Sequence, residues 1–471
     1  MEFNDLKEVT KNALKWFEQN KCVGCAKSGS YSSPRISSEY PDCATPFSFD
    51  LYNMCSYGCL YCFAFFQKSN NPAYEKDGSN LNLKKVNVDK LIRTFEGEYP
   101  NDPYYKYFIK KRKVMHIGGM ADNFCNFERH NKEGVKLIEY LLKTGYPIII
   151  SSKGTVYNFP EYKTLFEKYK DIANCVWQSS IITYDRRLAA QIEVGVPSPE
   201  ERFKNMKWLS DLGYYTILRL RPFMVGISDK TLPELMNAMK ESNCKSLSTE
   251  FYAMDMRVNE ESKDRYDWFS QLAGFDYTEY YKTLSPQSRG TYRRLNRNVK
   301  ERFVKYMYKF CVDNDILFAC SDPDFKELNM SGCCCGLPDN QGEISNYQKN
   351  QLTQVLKDLR IKYVKSNGED KYLKLSDCIY DQDEQDWRED GKLYFSDMVC
   401  CIGQSSSERD VRNFWIKFKE DWNNTRSPKC PINYFDGKII DSGKQDEEGN
   451  IIYEYNPSDY EAIWKEEGWF K

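Results

Sequence analysis

The residues best placed to do chemistry are three cysteines in a short loop. Cys55-Ser56-Tyr57-Gly58-Cys59-Leu60-Tyr61-Cys62 has a Cys-x3-Cys-x2-Cys spacing that can set three sulfurs around one inorganic cluster. A cubane of four irons and four sulfides held by only three thiolates keeps an open coordination position on one iron, and an open position is how a metal site accepts a reactant. Gly58 eases the tight loop. Zinc is the alternative occupant, although zinc sites favour two Cys-x2-4-Cys pairs and four ligands. The 471-residue chain carries 18 cysteines, six of them before residue 63. That density is below a disulfide scaffold. No secretory leader precedes them, so a cytoplasmic, reducing setting is expected, where clustered thiols mean metal, an iron–sulfur cluster or redox chemistry.

Such a loop needs a scaffold. Short apolar runs at 47–51, 114–117, 147–151, 175–181, 214–220 and 246–252 read as six strands, and stretches with helical spacing lie between the middle ones. Val135, Leu137, Ile138, Leu141 and Leu142, for example, precede the Gly145-Tyr146-Pro147 turn. Repeated strand–helix units predict an α/β fold with a parallel sheet or barrel. The clearest helix starts at Ser198-Pro199-Glu200-Glu201, with Ser198 as N-cap, Glu201 closing a capping box, and Phe203, Met206, Leu209 and Leu212 as its buried face. Gly213 can end it. Residues 1–46 read as a cysteine-bearing segment, 47–330 as the barrel and 331–471 as a C-terminal extension that is acidic and polar, notably at 381–386 and 446–450. The acidic runs read as solvated surface.

Composition bounds the class. With 41% hydrophobic, 29% charged and 15% aromatic residues the chain can bury large cores. The balance of 67 basic against 69 acidic residues argues against coating nucleic acid by bulk charge. No run of about 18 apolar residues exists, so no membrane span is expected, and the charged 1–20 stretch reads as a helix.

The cysteine loop resembles the motif of the radical S-adenosylmethionine (radical SAM) superfamily, which Cys55, Cys59 and Cys62 match together with the aromatic Tyr61. The resemblance implies a partial (β/α)6 barrel, a [4Fe-4S] cluster and S-adenosyl-L-methionine. It also implies that an electron breaks the cofactor's carbon–sulfur bond to give a 5′-deoxyadenosyl radical that abstracts a substrate hydrogen. It places Tyr61 at the cofactor and aligns Gly118, Gly119 and Met120 with a segment that binds the methionine amino group through backbone carbonyls. A longer string, Ser179-Ser180-Ile181, then 193–202, then 219–229, is similar to the spore photoproduct lyase-like branch, and the likeness covers 47–260. On that branch Ser180 would lie near the cofactor ribose, and Arg202 or Arg219 would meet its carboxylate. Strand alternation puts Arg219 and Arg221 on one face, so both point into the barrel if Leu218 and Leu220 pack on helices. The other reading pairs such an arginine with a core acid such as Glu250.

The branch carries Cys-Thr-Ser-Asp where this chain has Gly119-Met120-Ala121-Asp122, and that cysteine returns hydrogen to the product. Gly119 cannot. Cys125 is the candidate substitute donor, with a buried structural thiol as the equal alternative. Outside the loop, Cys22 and Cys25 with Cys320 and one of Cys333 to Cys335 could form an auxiliary iron–sulfur or zinc site; Cys333 stands for that run. His116 and His130 are the only histidines, and His116 reads as a core residue. Basic groups interleaved with aromatics at 292–297, and the basic run at 110–113, could hold a nucleic-acid strand, though solvated helix faces explain such runs as well. The expected function is therefore a radical SAM enzyme, reduced by a flavodoxin or ferredoxin, acting on a nucleobase in DNA or RNA. A peptide-modifying maturase and a non-catalytic, metal-stabilised binding module are the alternatives.

Overall fold

The computed structural model describes residues 27–28, 34–36, 43–64, 84–102, 104–256, 260–285, 288–289, 292–347, 352–378 and 418–468. The expected helix at 1–20, Cys22, Cys25, the acidic run at 381–386 and the Cys400-Cys401 pair lie outside the described residues.

Eight strands form the main sheet: β1 (Arg35–Ile36), β2 (Phe47–Phe49), β3 (Met115–Ile117), β4 (Ile148–Ser152), β5 (Cys175–Ser180), β6 (Tyr215–Phe223), β7 (Ser246–Phe251) and β8 (Leu317–Cys320). They lie side by side in sequence order from β1 to β8. Seven are parallel, and only β1 runs antiparallel, against β2. All six strands expected from the sequence are present. The expected count of six is corrected to seven parallel strands by β8, and β1 adds an antiparallel edge. Each edge strand has a neighbour on one side only among the described residues, so the sheet is open there.

Helices follow the strands as a parallel sheet requires: α1 (Gly134–Lys143), α2 (Pro160–Tyr169), α3 (Pro199–Asp211), α4 (Leu232–Glu241) and α5 (Arg297–Asp313). They cover one face. Ile148, Ile150 and Trp177 pack with Leu137, Leu141 and Phe166, while Leu218, Leu220, Leu247 and Phe318 pack with Met206, Met236, Met239 and Met307. Helix α3 begins with the anticipated capping box: Glu201 N–H donates to Ser198 Oγ at 3.3 Å and Ser198 N–H to Glu201 Oε2 at 2.9 Å. Leu212 is half-buried, whereas Arg202 and Asn205 are buried on that helix instead.

The inner face is polar toward the carboxyl ends of the strands and apolar below. Val114, Ile149, Val176 and Ile217 pack there with Leu337, Ile344 and Tyr347, so the first part of the C-terminal extension folds back onto the sheet. Farther on, 372–373, 451–455 and 439–445 form a separate small antiparallel sheet. The acidic 446–450 stretch turns its hairpin, with Asp446 Oδ1 accepting from Asn450 N–H at 2.8 Å.

Candidate functional site

Parallel strands deliver their loops to one rim, and the cysteine loop leaves β2 there. Two staples fix it. On one side Leu51 N–H donates to Asn123 Oδ1 (2.6 Å), Asn126 N–H to Ser56 Oγ (2.8 Å) and Tyr57 Oη to the Phe124 carbonyl (3.1 Å). On the other, Gly58 and Cys59 pair antiparallel with Val194 and Glu193, and Leu60 N–H reaches the Ile192 carbonyl at 2.9 Å. A Cβ on Gly58 would stand 3.3 Å from Val194 Cβ, a tight approach between the two paired segments.

Tyr61, Glu193 and Arg202 form a buried chain behind the second staple. Tyr61 Oη donates to Glu193 Oε1, and Arg202 Nη2 donates to Glu193 Oε2 at 2.6 Å while Nη1 donates to the Ser180 carbonyl at 2.6 Å. Arg202 is fully buried, so its charge is balanced by Glu193 rather than presented to the sheet's inner face. The expectation that Arg202 meets a cofactor carboxylate is thus corrected: its guanidinium is occupied in positioning the cysteine loop and β5.

Cys55, Cys59 and Cys62 are reduced and partly exposed. Burial pushes the Cys59 thiol up to about 12, with Lys153 pulling the other way. The Cys55 thiol shares a hydrogen bond with that of Cys125, and burial together with this neighbour raises it. Among the described residues no group of three or more His, Cys, Asp or Glu side chains stands closed at metal-holding distance, this loop included. The donor set still fits a thiophilic cluster: three unbridged thiols on one loop stapled from both sides. Cys125 itself is fully buried at the start of helix Asn126–Asn131, in contact with Cys55 and Ser56.

Around the same rim, Gly118 follows β3 with φ +93°, and a Cβ there would collide with the Ser151 carbonyl oxygen. Gly119 and Met120 come next, and Met120 and Ala121 N–H donate to the buried Asp50 Oδ1 at 3.3 and 3.2 Å. Arg35 pairs with the other Asp50 oxygen. Ser180 ends β5 beside Arg219 of β6, and Arg219 faces inward as alternation required. Arg221, also inward, donates to the Cys334 carbonyl and lies 4.0 Å from the partly exposed Glu250. His116 Nε2 meets Ser151 Oγ at 2.7 Å, Ser151 donates to Gln178 at 2.5 Å, and Gln178 donates to the Cys335 carbonyl. Burial, with Arg219, Arg35 and Arg221 adding to it, lowers His116 to about 3, so the ring is neutral.

Two residues of the rim were not singled out in the sequence. Lys153 follows β4 and places Nζ 5.5 Å from the Tyr61 ring centre, where Cys59, Glu193, Asp122 and Cys62 raise it against the effect of burial. Asp122 accepts from Ser152 Oγ (2.7 Å), Lys153 N–H (2.6 Å) and Phe124 N–H (2.9 Å), fixing that strand end. The Ser-Ser-Lys-Gly string after an apolar run was the available signal for Lys153.

Cys320 and Cys333, expected together in an auxiliary site, are both fully buried but not brought into one cluster. Cys320 packs in the helix-side core, while Cys333 packs in the inner-face cluster. The other two members of that grouping, Cys22 and Cys25, lie outside the described residues. The basic aromatic strand Tyr292–Arg294 pairs with Ala253–Asp255 just beyond β7, and Arg294 lies 3.3 Å from Glu250.

No protein-family model matches the chain, and no curated protein matches it. Among solved structures, spore photoproduct lyase complexed with dinucleoside spore photoproduct is similar at 12% identity, over 62% of this chain and 80% of that one, with a TM-score of 0.42. A variant of that enzyme with bound AdoMet and the dinucleoside gives 12%, 65%, 93% and 0.42 respectively. SuiB of Streptococcus suis is similar at 12% identity over 67% of this chain and 55% of that one, with a TM-score of 0.36. Likenesses of this degree assign neither activity nor substrate.

Proposed function

We propose that this chain is a radical SAM enzyme in which Cys55, Cys59 and Cys62 hold a [4Fe-4S] cluster. The observation that carries the reading is three unbridged thiols on one loop, stapled from both sides at the carboxyl rim of a parallel sheet. When bound, cluster and S-adenosyl-L-methionine supply a 5′-deoxyadenosyl radical for hydrogen abstraction. The chain's own residues bind and aim. Backbone groups of Gly118, Gly119 and Met120 are offered to the methionine end, and Ser180 to the ribose. Lys153 and Arg219 are the cations suited to the carboxylate, since Arg202 is held by Glu193. Tyr61 fixes the loop through Glu193. Cys125 is in contact with Cys55, and as a hydrogen donor it would have to be reached past that ligand.

For substrate we favour a nucleobase in DNA or RNA. Tyr292 is 38% exposed on a strand whose Arg294 contacts Glu250 and, through it, Arg221 on the inner face. Such a strand offers stacking and phosphate contacts at the mouth of the sheet. A peptide-modifying reading draws support from further free cysteines, Cys43, Cys334 and Cys335. A flavodoxin or ferredoxin would supply the electron. No helix of the described residues is long and apolar enough to cross a membrane. The test of substrate class is isotope transfer: uniformly deuterated oligonucleotides, or deuterated peptides, are incubated with reconstituted enzyme and S-adenosylmethionine. Deuterium entering 5′-deoxyadenosine from the oligonucleotide is expected, and entry from peptide alone would overturn the nucleobase assignment.

A further inference from the structure

The first-loop thiols leave a second group of cysteines unused. Cys43 Sγ and Cys335 Sγ each lie 3.9 Å from Thr45 Oγ1, although 292 positions separate the two cysteines in sequence. Cys334 shares a hydrogen bond with Cys335, and Cys335 with Cys333. Of these, Cys43, Cys334 and Cys335 are partly accessible and Cys333 is fully buried.

The backbone beneath them is built to hold still. Ser248 Oγ donates to the Cys334 carbonyl at 3.0 Å, as does Arg221; Gln178 donates to the Cys335 carbonyl; and Ser246 Oγ donates to the Gly336 carbonyl at 2.8 Å. Gly336 N–H closes a turn on the Cys333 carbonyl at 3.0 Å. Strands β5, β6 and β7 thus each fix the cysteine run, leaving the thiols as the adjustable part. The charges nearby have a sign. Arg221 and Lys357 lie close to Cys334, and the buried Arg221 Nε has no hydrogen-bond partner. A thiolate group would supply an anion beside the Arg221 guanidinium.

We propose that Cys43, Cys334 and Cys335 form a second, thiolate site on the inner face for one thiophilic divalent cation of the zinc class. Three thiolates and a divalent ion leave one net negative charge beside Arg221, whereas three neutral thiols leave that guanidinium the Cys334 carbonyl and a Glu250 carboxylate 4.0 Å away. The ion would tie the segment before β2 to the segment after β8, closing the base of the open sheet. As in the first loop, the thiols do not stand at metal-bonding distance. Closure falls to rotation of their side chains between staggered positions. This site does not depend on the radical SAM reading.

The test uses the full chain with the first loop silenced, Cys55→Ala/Cys59→Ala/Cys62→Ala, titrated anaerobically with cobalt(II). A near-ultraviolet thiolate-to-cobalt band that zinc displaces is expected, and Cys43→Ser or Cys335→Ser added to the silenced chain should abolish it with the circular dichroism unchanged. Cys334→Ser provides the same reading should either of those variants lose its helical signal. Absence of a band in the silenced chain, or a band that survives these substitutions in folded protein, overturns the site.

Discussion

Tyr61, Glu193 and Arg202 show how much of the site depends on side chains that hold loops. Their hydroxyl, carboxylate and guanidinium are buried and hydrogen-bonded to one another, with only Arg202 Nε among these atoms left without a partner, so loss of one strands the others. Tyr61→Phe should cost about 1.5–3 kcal/mol in chemical denaturation, the range for a hydrogen bond to a charged group. Glu193→Ala, which leaves Arg202 buried without a counter-charge, should cost about 3–5 kcal/mol. Both should lower iron retention after anaerobic reconstitution, whereas Lys153→Ala should leave iron content intact and weaken S-adenosylmethionine binding. His116 gives a pH signature. Its folded value is depressed to about 3, so its contribution to stability is fully present above the unfolded value of about 6.5 and is lost as pH falls toward 3. His116→Gln should therefore flatten the decline in melting temperature between pH 6.5 and 4 (about the window of that shift); an unchanged slope would show that other groups dominate it.

At the scale of elements, α3 links packing to chemistry. Its capping box sets where the helix begins, and Arg202, at its fourth helical position, reaches back to Ser180 at the end of β5 and to Glu193 beneath the loop. Ser198→Ala should cost about 1 kcal/mol by denaturant unfolding, and little more, because Glu193 still anchors Arg202. The helix was readable because Ser198, Pro199 and Glu201 are local signals with local causes. Strands β2 to β7 were readable for the same reason, being apolar runs bounded by turn residues. The four-residue β8 escaped because its short apolar run abuts α5, and β1 because two residues carry no period. Lys153 and Glu193 acquired their roles only through strand pairing and the fold-back onto the loop, which no spacing in the chain encodes.

The whole molecule is more integrated than a barrel with appendages. Residues after β8 first line the inner face and then form helix Leu352–Lys365, whose Arg360 donates to the Lys326 and Asn329 carbonyls. The last helix, Asp459–Glu466, brings Trp464 flat against Phe325 with centroids 6.1 Å apart, and Arg297 of α5 lies 4.7 Å from both rings. Trp464 Nε1 donates to Glu301 of the same α5 at 3.0 Å. Trp464→Ala should thus destabilise the chain by about 3–5 kcal/mol and expose the C-terminal segment to protease before the sheet; simultaneous cleavage of both would contradict that order. The sequence boundary near 330 marked a change of composition, and contacts such as Cys43 with Cys335 across it follow from topology that composition does not reveal.

The account turns on whether the loop of Cys55, Cys59 and Cys62 can cleave S-adenosylmethionine. Anaerobically reconstituted, dithionite-reduced protein is predicted to release 5′-deoxyadenosine, and Cys59→Ala is predicted to stop that release while the fold persists. Iron-loaded wild-type protein that releases none, or a Cys59→Ala chain that releases as much, would contradict it.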